Sequence, residues 1–217
     1  MESRPYALAE AVGTLKKFPV PKFDPTVTIS FRMGVDPKKS DQMVRGSVTL
    51  PHGTGKSVRV AVFAQGDAAK AATDAGADHV GYEDLIKKVQ EGFTDFDAAI
   101  ATPDAMSEVR KIARVLGPRG LMPNPKTGTV TDDTATAVKA AKAGKVDFKL
   151  DKNANISAAI GKASFSEDQL QENAESLIDS VVKAKPASAK GNYIENITLT
   201  ATMLPGLKLE NNAAIAE

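Results

Sequence analysis

The sequence contains no cysteine and no tryptophan, and its 217 residues include only two histidines, His52 and His79. The absence of cysteine excludes a disulfide framework and a thiolate zinc site. Two histidines so far apart along the chain argue against a histidine metal site and against a catalytic triad. We therefore predict that the protein holds no metal ion and no cofactor, and that it has no catalytic residue.

Long apolar runs and a charge imbalance are also missing. No run approaches the roughly 20 apolar residues that a membrane-spanning helix needs, and the opening stretch MESRPYALAEAV lacks the apolar core of a signal peptide. We expect a cytoplasmic protein without a membrane partner. The 28 basic and 27 acidic residues give a formal net charge of +1, so composition alone does not indicate a nucleic-acid partner.

The basic residues are nevertheless unevenly distributed. No acidic residue lies between Glu108 and Asp132, and this window contains Arg110, Lys111, Arg114, Arg119 and Lys126. It includes the stretch GPRGLMPNPKTGTV (117–130), in which glycine and proline restrict the backbone. As structure, this loop caps the end of a sheet, and its prolines lower the entropy of the unfolded chain. As function, it holds Arg119 and Lys126 at a fixed spacing to meet phosphates, and the residues alone do not choose between the two.

The hydrophobic pattern of the two ends of the chain differs from that of the middle. Alternation predicts half-buried strands over 26–33, 47–50, 145–151, 155–161 and 197–203. The middle alternates apolar strands (58–64, 79–82, 96–101) with helices (68–76, 82–92, 102–117, 132–144), and further helices are predicted over 5–17 and 166–184. Because the two ends share one character and the middle has another, we predict an α+β domain of residues 1–54 and 146–217. An α/β domain of residues 55–145 is inserted into it.

Three local patterns refine these elements. Thr102 and Pro103 are typical of an N-cap and a first helical position. Ser166 and Gln169 form a capping-box pattern at the start of the long helix. In the last strand, the alternation places Met203 on the apolar side together with Leu199.

The segment PHGTGKS (51–57) raises the alternative of a nucleotide-binding enzyme built on the α/β middle domain. Leu50 stands where the Walker motif requires glycine, and a strand follows where the motif requires a helix. The carboxylate pairs Asp95–Asp97 and Asp132–Asp133 lie in turns or at helix starts, where acids stabilise the backbone. A glycine-rich domain linker is therefore the favoured interpretation of the segment.

Three predicted strands carry serine or threonine on the side opposite the core. Threonine favours strands and an exposed face must be polar, so this pattern has a purely structural interpretation. It also fits a surface for structured RNA, because hydroxyls bond phosphate oxygens and ribose 2′-OH groups without adding charge. Cationic and aromatic residues lie on or beside the same strands: Lys22, Phe23, Arg32, Arg45, Lys152 and Lys162.

Several of these stretches resemble the motifs of one known family. GPRGLMPNPKTGTV resembles the signature of the ribosomal protein L-one family, the stalk protein of the large ribosomal subunit. The resemblance continues in the family's order through KFDPTV (22–27), DPKKSDQMVRGSVTLPHGTGK (36–56), AGADHVG (75–81), DFDAAIATPD (95–104), IGKASF (160–165) and TATM (200–203). It therefore covers nearly the whole chain.

The resemblance implies a discontinuous α+β domain made from both termini, with an inserted Rossmann-like α/β domain. It also implies a non-enzymatic constituent of the large ribosomal subunit that binds large-subunit (23S) rRNA at the mobile stalk. Such a protein assists release of deacylated tRNA from the exit site and represses translation by binding its own operon mRNA. It acts as a monomer within the cytoplasmic ribosome and takes no small-molecule substrate. The alternative among binding proteins is a regulator that acts mainly on mRNA.

The family's RNA contacts carry over onto residues from three parts of this chain: Lys22, Phe23, Thr26, Gly161, Lys162, Thr200, Thr202 and Met203. We add Arg45 and Lys152 from the polar strands, and Arg119 and Lys126 as a secondary contact with RNA or tRNA. Leu204 departs from the family, which usually has glycine after Thr-Met, and this weakens a close backbone approach or transfers it to Gly206. The segment before Lys22 also lacks the family's usual basic leader, so we expect some electrostatic affinity to be missing.

Overall fold

A computed structural model describes residues 4–19, 21–189 and 191–210 of the chain, with the side chain of Lys126 left undescribed. The fold is mixed α/β, and the chain forms two compact units. The terminal unit consists of Met1–Gly55 and Val146–Glu217, and the central unit is Lys56–Lys145.

The elements follow one another in a fixed order. The strands are β1 (Thr26–Met33), β2 (Arg45–Thr49), β3 (Val60–Phe63), β4 (His79–Gly81), β5 (Ala98–Ala101), β6 (Lys145–Lys149), β7 (Asn155–Lys162), β8 (Ile194–Ala201) and β9 (Leu207–Leu209). The helices are α1 (Leu8–Lys16), α2 (Gly66–Asp74), α3 (Glu83–Gln90), α4 (Met106–Val109), α5 (Ala113–Leu116), α6 (Thr134–Lys142) and α7 (Glu167–Lys183).

The main sheet of the terminal unit has the strand order β7-β1-β8-β9, and each neighbouring pair is antiparallel. The alternation predicted for β1 is confirmed, because Val27, Ile29, Phe31 and Met33 are all buried and the residues between them are not. Pairing with β7 is interrupted by a bulge between Val27 and Thr28. One face of the sheet is thus apolar and the other is polar.

Helices α1 and α7 cover the apolar face. Val12 and Leu15 of α1, with Leu170 and Leu177 of α7, lie in one buried core with the sheet. The predicted capping box of α7 is confirmed: Ser166 Oγ accepts a hydrogen bond from the Gln169 backbone N–H at 3.2 Å, and the Gln169 side chain accepts from the Ser166 N–H at 3.0 Å. A separate two-stranded sheet joins β2 and β6, with Gly46 directly against the Phe148 ring.

The central unit has a parallel three-stranded sheet in the order β4-β3-β5. All four residues of β3 are buried. Two apolar clusters lie in this unit, one including residues of α3, α4 and α5 and the other including residues of α2 and α6. After the PHGTGKS segment the chain enters β3, and the next helix begins only at Gly66, so the segment does not open a helix as a Walker loop does.

The helix predicted over 102–117 is wrong in its start and its continuity. The structure has α4, a 3-10 turn at Arg110–Ile112 and then α5, and the N-cap of α4 is Ala105. The Thr102 N–H donates to the Phe63 carbonyl at 3.1 Å, so Thr102 still continues the sheet, and α4 begins only at Met106. The chain leaves the sheet and turns only after Thr102.

The glycine- and proline-rich loop 117–130 lies beside the end of β5. The Ala101 N–H donates to the Thr129 carbonyl at 3.0 Å, and the Thr131 N–H donates to the Ala101 carbonyl at 3.1 Å. The Thr129 hydroxyl accepts from the Asn124 N–H at 2.8 Å and so closes the loop on itself. These bonds support the structural interpretation, in which the loop completes the end of the sheet.

Candidate nucleic-acid interface

The polar face of the main sheet is continuous across its strands. Ser30 in β1 stands opposite Ser157 of β7 and Thr198 of β8. The Ser30 and Ser157 hydroxyls are 3.0 Å apart, and the Asn196 side-chain amide donates to the Thr198 hydroxyl at 3.2 Å. The hydroxyls that the alternation predicted on β1 and β8 therefore lie on one surface, together with Ser157. Those predicted on 47–50, Ser47 and Thr49, lie instead in β2, in the separate two-stranded sheet.

One end of this sheet gathers most of the predicted RNA contacts. It is formed where β1 begins and where β7 and β8 end, and the pairs Thr26–Lys162 and Val27–Ala201 mark it. We call this set the Lys162 cluster; its members are Lys22, Phe23, Thr26, Gly161, Lys162, Thr200, Thr202 and Met203. Phe23 is 46% exposed, which is unusual for a phenylalanine and leaves its ring available to a partner.

Lys162 supplies the cation at the centre of the cluster. Its ammonium group donates to the Asp24 carbonyl at 3.3 Å and to the Thr26 hydroxyl at 3.1 Å. The Asp24 carboxylate instead accepts from the backbone N–H and the hydroxyl of Ser164, at 3.1 and 2.8 Å. Within the described part of the chain, no carboxylate forms an ion pair with Lys162. Because an ammonium group has three donors, one remains for a phosphate.

The end of β8 places backbone and hydroxyl groups beside this cation. The Thr202 N–H donates to the Thr26 carbonyl at 3.1 Å, and the Thr200 hydroxyl donates to the Leu204 carbonyl at 3.2 Å. Met203 lies beyond the strand, with a φ of 66° and 82% of its surface exposed. The prediction that Met203 continues the apolar side of the strand is therefore wrong, because the backbone turns at Thr202 and reverses its direction.

Leu204 closes this turn and packs inward. Its N–H donates to the Ala201 carbonyl at 2.9 Å. Its partly buried side chain contacts the core and lines a cavity of about 140 Å³ with Leu15 and Val27. A Cβ on Gly206 would lie only 2.9 Å from the Thr198 methyl group, so the backbone crosses close to the polar face there.

Gly161 is required by packing. It is buried, and a Cβ at this position would lie 2.9 Å from Phe165 Cδ2 and 3.0 Å from Leu170 Cδ2. Any larger residue would therefore require the Phe165 and Leu170 side chains to shift. The role of Gly161 as an RNA contact stays a prediction.

Two predicted contacts lie elsewhere in the terminal unit. Lys152 lines an open hollow with Arg32, at the opposite end of β1 from Thr26. A strand rises about 3.3 Å per residue, so this end is roughly 20 Å from the Lys162 cluster. Arg45 lies in β2, in the separate two-stranded sheet. The structure therefore does not bring Lys152 or Arg45 into the cluster.

The basic window of the central unit is partly neutralised. Lys111 pairs with Glu108 at 2.6 Å, and this contact raises the pKa of the Lys111 ammonium. Arg119 donates to the Thr94 hydroxyl. Lys126 has no described side chain, so its predicted contact lies outside what the structure describes.

Three of the four carboxylates weighed as catalytic pairs have structural partners. Asp95 and Asp97 both bind the Arg59 guanidinium, and these hydrogen bonds raise the pKa of Arg59. Asp133 accepts from the Thr136 N–H at the start of α6, and this bond lowers the pKa of its carboxyl. Among the described residues, no group of three histidine, aspartate or glutamate side chains could hold a metal ion, and no helix has the length and apolar character to span a membrane.

Sequence reasoning missed the residues that hold the cluster together. Asp24 and Ser164 are 140 positions apart and fix the loop before β1 to the loop after β7. Neither belongs to a periodic element, so no hydrophobic pattern pointed to them. The only available signal was their place inside the motifs KFDPTV and IGKASF.

Comparison with known proteins identifies the family. A family model described as "Ribosomal protein L1p/L10e family" matches residues 15–205. "Large ribosomal subunit protein uL1" of Saccharopolyspora erythraea is 57% identical over 210 residues, which are 97% of this chain and 88% of that relative. The proteins of the same name from Thermobifida fusca and Corynebacterium kroppenstedtii are 54% and 55% identical, over 97% and 96% of this chain and 90% and 88% of their own lengths.

The comparisons confirm the resemblance. They also confirm the prediction of a ribosomal protein that is not an enzyme. The expected ribosomal location is confirmed on the same basis. The chain belongs to the ribosomal protein L1p/L10e family.

Proposed function

We propose that this protein is a structural constituent of the large ribosomal subunit in the cytoplasm and that it binds large-subunit (23S) rRNA directly at the mobile stalk. The terminal unit is its RNA-binding domain, and the central unit is a Rossmann-like insert. The observation that carries the proposal is the Lys162 cluster. In this cluster the Lys162 ammonium group lies at the end of a continuous hydroxyl face. Within the described chain, no carboxylate is paired with that ammonium group.

The groups of the cluster suit RNA better than DNA or an acidic protein. Hydroxyls of Thr26 and Thr202 can bond phosphate oxygens and ribose 2′-OH groups, which only RNA presents. The exposed Phe23 ring and Met203 side chain offer apolar surface to a base or a ribose. Lys162 supplies one positive charge at a fixed place, so the contact depends on shape as well as on salt.

The proposal is tested by equilibrium binding of the purified protein to the stalk fragment of large-subunit rRNA across a salt series, with a scrambled hairpin as control. We expect the fragment to bind more tightly than the hairpin. Lys162→Ala should reduce the affinity roughly tenfold and lower the salt slope by about one phosphate contact. Lys183→Ala, which removes an exposed lysine from the last turn of α7, is the matched control and should change neither.

Equal binding of the stalk fragment and the scrambled hairpin would contradict the proposed function. An unchanged salt slope in Lys162→Ala would remove Lys162 from the contact while leaving the function standing. Lys152→Ala and Arg45→Ala, assayed in the same way, decide whether the predicted contacts outside the cluster also touch RNA.

The resemblance also supports release of deacylated tRNA from the exit site, repression of the protein's own operon mRNA, and action as a monomer within the ribosome. Large subunits that lack the protein should release deacylated tRNA faster once the purified protein is added. Translation of the operon mRNA should fall when the protein is in excess over rRNA. No change in either assay would leave rRNA binding as the whole function, with Arg119 and Lys126 carrying no tRNA contact.

A further inference from the structure

Asn173 is a polar residue on the buried face of α7. Its neighbours on that face are apolar, including Leu170, Ala174 and Leu177, and its own exposure is 0%. A buried amide is costly unless its donors and acceptor are hydrogen-bonded. The hydrogen bonds of Asn173 therefore identify the backbone segments that it positions.

The Asn173 side chain bonds to two separate segments of backbone. Its amide nitrogen donates to the Ile160 carbonyl at 2.7 Å and to the Gly53 carbonyl at 3.0 Å. Its carbonyl oxygen accepts from the His52 N–H at 3.1 Å. One side chain thus links β7 to the segment that follows β2.

The bond to Ile160 supports the strand end that carries Lys162. Val27 pairs with Gly161 and Thr28 pairs with Ala159, so Ile160 is the extra residue of the β7 bulge. A bulged residue leaves the regular ladder, and the Asn173 amide supplies a partner for its carbonyl. This fixes the backbone two residues before Lys162.

The bonds to His52 and Gly53 hold the backbone of residues 52–55 against the aliphatic part of the Lys162 side chain. Gly53 and Gly55 both have positive φ, at 66° and 71°, so the chain turns tightly here. A Cβ on Gly55 would lie 2.9 Å from Lys162 Cγ and 2.9 Å from Phe165 Cε1. The His52 ring contacts the Glu172 carboxylate at 2.6 Å and adds a second link from the neighbouring position of α7.

We infer that Asn173 is a positioning residue for RNA binding. It holds the β7 bulge and the 52–55 segment together, and between them they fix the backbone and the aliphatic stem of Lys162. The ammonium group then lies at one place beside Thr26 before RNA arrives. This inference rests on the proposed function, since it concerns how the Lys162 contact is arranged.

The test compares Asn173→Leu, which keeps the approximate volume and removes the hydrogen bonds, with the wild type in the stalk-fragment salt series. We expect affinity to fall several-fold and the salt slope to fall toward the value of Lys162→Ala. In the double variant with Lys162→Ala, Asn173→Leu should have little further effect, because the group that it positions is already absent. Leu177→Ala, which weakens the same core but removes none of these bonds, should leave the slope unchanged.

A second variant covers the case in which Asn173→Leu does not fold. Gly55→Ala leaves Asn173 intact but introduces a Cβ against the Lys162 stem, so it should lower the slope in the same way. Gly191→Ala is its control, because Gly191 also has positive φ, at 80°, yet nothing lies within 4 Å of the added Cβ.

The outcomes separate the two claims. Wild-type protein that does not prefer the stalk fragment over the scrambled hairpin overturns the proposed function and this inference with it. Specific wild-type binding with an unchanged slope in Asn173→Leu, or in Gly55→Ala where the former does not fold, overturns the positioning role alone. Fully additive losses of affinity in the double variant, Asn173→Leu with Lys162→Ala, also overturn the positioning role alone.

Discussion

Leu204 shows how a single residue can depart from its family and still fit the fold. The resemblance pointed to a glycine at this position, which would let RNA approach the backbone closely. Met203, and not residue 204, carries the positive φ of the turn, at 66°. Leu204 can therefore place its side chain against the core next to Leu15 and Val27.

We predict that Leu204→Gly destabilises the terminal unit by about 2 kcal/mol, because a partly buried leucine loses its packing and glycine adds entropy to the unfolded chain. It should not strengthen binding to the stalk fragment. Urea unfolding and the binding assay measure the two effects, with Leu204→Met as the control that keeps the volume. Tighter RNA binding by Leu204→Gly would show that Leu204 obstructs the RNA after all.

Met203 marks the limit of what alternation can predict about a residue. The pattern placed it on the apolar side because it follows Leu199 and Ala201 at the correct spacing. The strand ends at Ala201 because the Leu204 N–H closes a turn onto that residue's carbonyl. Periodicity describes where a side chain points only while the strand continues, so the exposed Met203 could not be predicted from it.

At the scale of elements, α7 is stabilised by side chains at both ends. Its first turn has the Ser166–Gln169 capping box. Near its last turn, the buried Tyr193 hydroxyl donates to the Val181 carbonyl at 3.1 Å. That carbonyl is one of the last four of the helix, which have no intrahelical donor.

Burial of the Tyr193 phenol makes the stability of the fold decrease at alkaline pH. Burial raises the pKa of Tyr193 to about 12 in the folded protein, against about 10 in the unfolded chain. The contribution of the neutral phenol is therefore fully present below pH 10, and it is lost as the pH rises from about 10 through about 12. Tyr193→Phe should cost about 1 kcal/mol at pH 8, and its free energy of unfolding should lack this alkaline decrease. An equal decrease in both proteins would assign it to other groups.

The elements that the sequence predicted well are those with one buried face. Strand β1 and helix α7 each expose one side and bury the other, so their periods of 2 and 3.6 are visible in the residues. Strand β9 has only three residues, Leu207–Leu209, and was too short to show a period. The late start of the helix after β5 accompanies the bond of Thr102 to Phe63, a contact between distant residues that local signals cannot report.

At the scale of the whole molecule, the candidate site combines predictable and unpredictable parts. Lys22 and Lys162 followed from family motifs and from the polar strands. Asn173 and the pair Asp24–Ser164 did not, because their roles depend on hydrogen bonds across more than 100 positions of sequence. Topology brings these segments together: β1 lies between β7 and β8, so the start of one strand meets the ends of two others.

The two units have separate apolar cores, which gives a prediction for the intact chain. Leu116 is fully buried in the central unit, and Leu177 is fully buried in the terminal unit. Leu116→Ala should destabilise the central unit by roughly 2–5 kcal/mol and leave stalk-fragment affinity within about twofold, since the Lys162 cluster belongs to the terminal unit.

Leu177→Ala is the matched substitution in the other core. It should destabilise the terminal unit by a similar amount and reduce the RNA-competent fraction at temperatures where that unit begins to unfold. Hydrogen exchange resolved along the chain measures which amides lose protection in each variant. Faster exchange confined to 56–145 in Leu116→Ala, with unchanged RNA binding, is the expected result. Loss of protection in both units together would mean that they unfold as one cooperative body, and binding would then depend on the central core as well.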